Sequence, residues 1–203
     1  MDNGWQPPCS RGEFSMLLAE VESVIDVTRR LPHLPFRASC GPVDVCEFAM
    51  FLNAPFAGVL TALADAHGDE SIVLVTLDPD PFSYCERKFP GFRIARGDLE
   101  HGFWAQLNYE LAGDTSGSIV DVSDTVALTG STHTWSAYGQ GDWGLALVHS
   151  QAAERPWLDD DEVPFVSARE GLDWFTERFV PRSDAERSIF LGSMDAMAER
   201  PCE

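Results

Sequence analysis

Asp78 and Asp80 stand one residue apart, directly after the apolar run Ile72-Val73-Leu74-Val75-Thr76-Leu77. Two carboxylates on a short loop at the end of a buried strand are a donor set that a hard divalent cation takes, and such a cation assists hydrolysis. The same residues, with Pro79 and Pro81 beside them, also read as a rigid Asp-Pro turn leaving a sheet. His133 and His149 fall on two adjacent β-like runs, where a three-residue turn would set them opposite each other and a two-residue turn would not. Even when paired they lack the further ligands that a zinc site needs, so two ordinary sheet histidines are expected. Cys40, Cys46 or Cys85 could in principle act with His67 or His101, but nothing in the spacing links them, and free cysteines usually serve as small buried hydrophobes.

Residues 72 to 80 resemble the D-x-D loop of haloacid-dehalogenase-type phosphatases, in which the first carboxylate attacks phosphorus and both lie near Mg²⁺. The resemblance implies a metal-assisted hydrolase using Asp78 and Asp80, and it ends at residue 80. That family's second acidic motif is not recognisable downstream. No P-loop, H-E-x-x-H or EF-hand loop is present, and no metal, cofactor or catalytic residue is expected.

A different pattern favours binding over catalysis. Trp135, Tyr138 and Trp143 lie within nine residues among Thr, Ser and Gly. Large rigid aromatics with small polar neighbours give contact area at low entropy cost, and these three are expected on a binding surface. The competing expectation makes Trp135 and Trp143 core plugs, one on each face of a sheet. Downstream, Asp159-Asp160-Asp161-Glu162 reads as an exposed acidic linker and joins the aromatic residues as a candidate binding element.

The elements that must position these residues are readable from periodicity. Ser10-Arg11-Gly12-Glu13 is a capping box opening a helix with Phe14, Leu17, Leu18, Val21 and Ile25 on one face. Leu34 to Cys40 is a possible edge strand, and Val43 to Asn53 fits either a short helix or a buried strand. Ala54 to His67 reads as a helix closed by Gly68, and residues 72–77 as a strand covered on both faces. Asp98 opens a helix with Phe103, Trp104 and Leu107. Short β-like runs follow at Ile119–Val122, Thr125–Leu128, Thr132–Tyr138 and Trp143–His149, the last two as a hairpin. Capping boxes at Ser167 and Ser183 open two final helices. The reading is an α+β domain over residues 1–182, with a central mixed or antiparallel sheet, flanking helices and a C-terminal aromatic hairpin. Residues 183–203 form a helical extension.

Composition bounds the function. The chain has 203 residues, 33 acidic and 14 basic, for a net charge of −19. So acidic a chain lacks the Lys and Arg clusters that displace counterions from nucleic acid, and anionic membranes repel it. With 44% hydrophobic and 11% aromatic residues it can build a core. The N-terminus has no basic and apolar signal-peptide pattern, and no apolar run approaches the ~18 residues of a membrane span. Five scattered cysteines suit reduced thiols, so the cytoplasm is expected. Thirteen of the 14 basic residues are Arg, as in a GC-rich bacterial genome. Around Arg87, Lys88, Arg93 and Arg96 lies a basic cluster whose arginines are expected to pair with nearby acids. In size, charge and Trp-rich hairpin the chain looks like small bacterial immunity or inhibitor proteins that neutralise basic toxins. The expectation is a protein-binding module for a basic partner, of which a DNA mimic is one variant. The alternatives are the Asp78/Asp80 hydrolase and a non-catalytic subunit of a larger assembly.

Overall fold

Three Ser-x-x-Glu boxes start helices as their chemistry requires. In the computed structural model, which describes residues 10–38, 40–85, 89–109, 117–176 and 181–200, Ser10 Oγ accepts from the Glu13 amide and Glu13 Oε2 accepts from the Ser10 amide. The same reciprocal bonds at Ser167/Glu170 and Ser183/Glu186 leave no ambiguity about where helices begin. The helices so opened are α1 (Arg11–Glu22), α7 (Ala168–Trp174) and α8 (Asp184–Ala198). Between them run β1 (Val43–Glu47), the single-turn α2 (Phe48–Phe51), α3 (Phe56–His67), β2 (Ser71–Asp78), α4 (Pro81–Tyr84), β3 (Gly91–Ala95), α5 (Leu99–Leu107), α6 (Ile119–Val122), β4 (Thr125–Gly130), β5 (Trp135–Gln140) and β6 (Leu145–Ser150).

The chain is of the α+β class. Its six strands form one sheet in the order β1-β6-β5-β4-β2-β3, and every neighbouring pair is antiparallel. Side chains alternate between two cores. Ile72 and Leu74 of β2, Val126 and Leu128 of β4, and Ala146 and Val148 of β6 enter a first core beneath α3 and α5. Val73 and Val75, Ala127, and Leu145 and Leu147 enter a second core with Phe14 and Val21 of α1 and Phe190 of α8. Residues 72–76 are thus buried on both faces as their apolar run requires, with Leu77 half-buried, although the sheet is antiparallel.

Several segments differ from the sequence expectation for local reasons. Ile119–Val122 is helical because Ser118 and Asp121 form a fourth capping box, which outweighs the β-branched propensity of the residues inside it. In the Leu34–Cys40 segment, Phe36 makes an isolated bridge to Ile25 in place of an edge strand. The Val43–Asn53 ambiguity resolves as both alternatives in turn, β1 followed by α2. The final hairpin joins Gln140 to Leu145 through four residues, Gly141–Gly144, so Ser136 faces His149 and neither expected register holds. His133 lies in the preceding turn with φ of 57°, away from any partner strand. Arg87 and Lys88 lie outside the described residues. Arg93 and Arg96 pair with Glu20 and Asp65, as expected of arginines in an acidic chain.

Helix α8 packs its Phe190, Met194 and Met197 into the second core, where Phe190 is fully buried and meets the Trp143 ring at 5.8 Å. Truncating Phe190 to Ala is therefore expected to cost about 3–5 kcal/mol in urea denaturation. A loss below about 1 kcal/mol would show that α8 contributes little to that core.

Candidate functional site

The residues expected to present an aromatic contact surface are core residues. Trp135, Tyr138 and Trp143 are 1%, 0% and 1% exposed, so the binding role expected for these three is corrected. A strand covered on both faces sends alternate side chains into opposite cores, and no position on it reaches water. Trp135 enters the first core and donates from Nε1 to Asp69 Oδ2 at 2.6 Å. Tyr138 enters the second and donates to Gln140 Oε1 at 2.9 Å. Trp143 lies under the Arg182 guanidinium, 4.5 Å from its ring centroid. The alternative reading of Trp135 and Trp143 as plugs on opposite sheet faces is the observed one.

The hairpin also spells Gly139-x-Gly141-x-x-Gly144, a glycine spacing associated with dinucleotide loops. Its context here is a turn between antiparallel strands, with no helix following to receive a pyrophosphate. The glycines have other work. A Cβ at Gly139 would stand 2.7 Å from the Phe51 ring, and Gly144 closes the turn at φ of 65°.

Asp78 and Asp80 do not converge. Asp80 caps α4, accepting from the Phe82 amide at 3.1 Å and from Ser83 Oγ at 2.6 Å. Asp78 continues the sheet opposite Thr125. Among the described residues no group of three or more His, Cys, Asp or Glu is placed to hold a metal ion.

The thiols offer no nucleophile either. Cys46 is fully buried, and burial pushes its thiol far above the ordinary range, next to the further effect of Asp44 and Glu47. Cys46 is a free thiol, whereas Cys40 is disulfide-bonded, which departs from the expectation of reduced thiols. Spacing along the chain does not reveal which cysteines the fold brings together. No helix among the described residues is long and apolar enough to cross a membrane.

His67 makes the contact that most resembles catalytic machinery. Its Nε2 lies 2.7 Å from Ser150 Oγ and its Nδ1 lies 2.7 Å from Thr134 Oγ1. A serine nucleophile needs an open face and a base oriented by a third group. Ser150 is 1% exposed and also accepts from the Ala152 amide, so substrate has no approach to it. The arrangement joins the end of α3 to β6 and to the start of β5.

The acidic segment, in contrast, stays at the surface and is held firmly. Pro156–Asp159 forms a 3₁₀ turn that drives Trp157 fully into the first core. The Trp157 Nε1 donates to Asp44 Oδ2 at 3.0 Å, and Arg155 meets Asp44 Oδ1 at 2.6 Å. Burial raises the Asp44 pKa, while Trp157 and Arg155 oppose that rise. Asp160 Oδ1 then accepts from the amides of Glu162 and Val163, and Val163 is again a core residue. Asp159, Asp161 and Glu162 are left exposed on an ordered ridge, and Asp160 is half-buried within it. None of the four is in an ion pair among the described residues, because the local base, Arg155, is committed to Asp44.

The sequence reading missed Asp44, Arg155 and Trp157 as the anchor of this ridge. A buried tryptophan must satisfy its indole N–H, but the partner, 113 residues away, leaves no trace in local spacing. Comparison with protein-family models, curated proteins and solved structures finds no match to this chain.

Replacing Asp44 with Ala removes both acceptors of the anchor and orphans a buried N–H. The expected cost is about 2–3 kcal/mol by urea denaturation, with Asp44→Asn milder because one acceptor remains. The histidines set a pH dependence. Burial lowers the pKa of both His67 and His149 from the ordinary 6.5. The unfolded chain then takes up protons first, so stability present above pH 6.5 is lost as pH falls below it. Asp44 and Asp124, raised by burial, act with the opposite sign in the range above 3.8. The difference in melting temperature between wild type and His149→Gln is expected to shrink or reverse from about pH 7.5 to about pH 5.5. A constant difference would show that the histidine does not titrate with folding.

Proposed function

We propose that the chain is an acidic protein-binding module that docks a basic protein through the ridge at Asp159, Asp160, Asp161 and Glu162. The observation that carries the reading is the ridge itself. Four carboxylates stand side by side with no ion pair among the described residues, on backbone anchored into the core at Trp157 and Val163. Holding like charges together costs electrostatic free energy, which a cationic surface removes on binding. The −19 net charge adds long-range attraction and speeds encounter.

The ridge lies beside α3, and α3 in turn packs on α5, which carries Trp104 at 39% exposure near Glu100. A standard footprint of ~800 Å² per partner spans more than one surface element, and the reading places Trp104 within it. Trp104 takes the role first expected of the hairpin tryptophans, an aromatic anchor with acids around it. The likeness to immunity and inhibitor proteins in size and charge is in keeping with this reading.

The test is capture of a basic protein from host lysate, followed by binding kinetics with the purified partner. Wild type is expected to retain it at about 50 mM salt and release it at about 500 mM. The triple change Asp159→Asn, Asp161→Asn and Glu162→Gln is expected to slow association by about threefold or more, and Trp104→Ala to raise Kd by about tenfold. Failure to recover any basic protein at low salt, or equal association by the triple variant, would refute the proposal.

A further inference from the structure

The segment after α1 lines three depressions, of about 620, 200 and 260 Å³. In a chain with 33 acidic and 14 basic residues, none of the three is lined by Asp or Glu. The first two are lined by loop residues including Arg29 and His33, and the second is completed by Arg200 from beyond α8. The third is the most fully built. Arg37 and His133 stand at its exposed rim, Thr134 and Gln151 at its sides, and Ser136 and His149 at its buried floor. Its 260 Å³ is below the ~300–1,000 Å³ of clefts that take drug-sized ligands, which sets the scale of an occupant.

The floor is fixed in orientation. Ser136 and His149 are cross-strand partners on β5 and β6, so their side chains share the sheet face that carries the second core. The Cys40 carbonyl can only accept, so His149 bears its proton on Nε2 and donates to that oxygen at 2.8 Å. That tautomer leaves Nδ1 as an acceptor, and the ring is held against Phe36 at 5.4 Å. Ser136, 2% exposed, makes no hydrogen bond from its hydroxyl to another described residue, and the cavity supplies the route to a partner.

The rim supplies the charge. Arg37 Nε donates to the Glu22 carbonyl at 2.6 Å, which orients the guanidinium. Its terminal nitrogens make no hydrogen bond among the described residues. Asp26 acts on it through space, yet that carboxylate is hydrogen-bonded to Thr28 and paired with Arg29. A fixed guanidinium fork with open terminal nitrogens matches a carboxylate in geometry and charge.

We propose that this cavity binds a small hydroxy acid, its carboxylate on Arg37 and its hydroxyl between Ser136 and His149. The site is independent of the acidic ridge, which lies on the other face of the sheet. A small ligand suffices because the Arg37 guanidinium can take a single carboxylate and Ser136 with His149 a single hydroxyl. A dianion would leave a second charge facing no cation on the floor.

Lactate, acetate and inorganic phosphate serve as probes of the wild-type chain, followed by backbone amide chemical shifts up to about 20 mM, above the millimolar affinity of a few polar contacts. Saturable shifts with lactate confined to residues 23–24, 37–38, 133–136 and 149–151, with acetate weaker, are the expected result. Arg37→Gln should weaken lactate by about tenfold or more. Ser136→Ala, which removes one oxygen and leaves the strand intact, should bring lactate down to the level of acetate. No saturable shift, shifts with phosphate alone, or equal lactate binding by a folded Arg37→Gln chain would each overturn the proposal.

Discussion

A six-stranded sheet with apolar side chains on both faces cannot leave either face in water, and the rest of this molecule follows from that constraint. Each fully buried Leu, Ile or Phe on the sheet is worth roughly 1.5–3 kcal/mol only while a helix covers it. The first face is covered by α3, α5 and the Trp157 turn, the second by α1, α7 and α8. Covering both faces of an antiparallel sheet removes the polar, solvated side that such sheets commonly show. Most inward positions are then apolar or hydrogen-bonded. This explains why the tryptophans and the tyrosine of the hairpin, rich in neighbouring Ser and Thr, are nevertheless interior.

The same constraint accounts for the buried carboxylates. Asp44 and Asp69 lie within the first core's boundary, 9% and 1% exposed. Each accepts from an indole, Asp44 from Trp157 and Asp69 from Trp135, and each has further donors, Arg155 for the one and the Thr132 amide for the other. An ionised group in such a place is tolerated when its oxygens are all engaged, and breaking one contact exposes the cost of the whole set. The two Asp–Trp pairs therefore do more than fill space. They tie the turn after β4 and the turn after β6 to the sheet, and the second of these turns carries the acidic ridge.

What could be read from the residues alone was whatever local chemistry decides. The capping boxes at Ser10, Ser167 and Ser183 opened helices because both partners lie within four residues. The 72–77 strand was equally clear, since an unbroken β-branched run has few alternatives. Ile119–Val122 misled because propensity and capping disagree there, and the Ser118–Asp121 box prevails. The aromatic residues misled for a different reason. Neighbour composition distinguishes surface from core only when one sheet face is wet, and here neither is. The Asp44–Trp157 anchor joins residues far apart in sequence, so no window contains its signal, and the Ser136–His149 pairing follows from a hairpin register set by the four-residue connection. The acidic run itself was plain, while the rigidity that makes it a surface feature was not.

Strand β6 shows how one element serves both sides. His149 and Ser150 are consecutive, so the pleat sends them to opposite faces. His149 turns to Cys40 and Phe36 at the floor of the carboxylate-free cavity. Ser150 turns to His67 at the end of α3, the helix against which the ridge turn packs. Asp44 on β1 lies opposite Val148 and holds Trp157 and Arg155 on the ridge side. Exposed carboxylates gather where Arg155 is withdrawn into the anchor, and Arg37 lines the cavity across the sheet beside α1. The two proposed sites, of opposite sign, lie on opposite faces of a sheet whose central strands β4, β5 and β6 are buried, so neither pairs directly with the other.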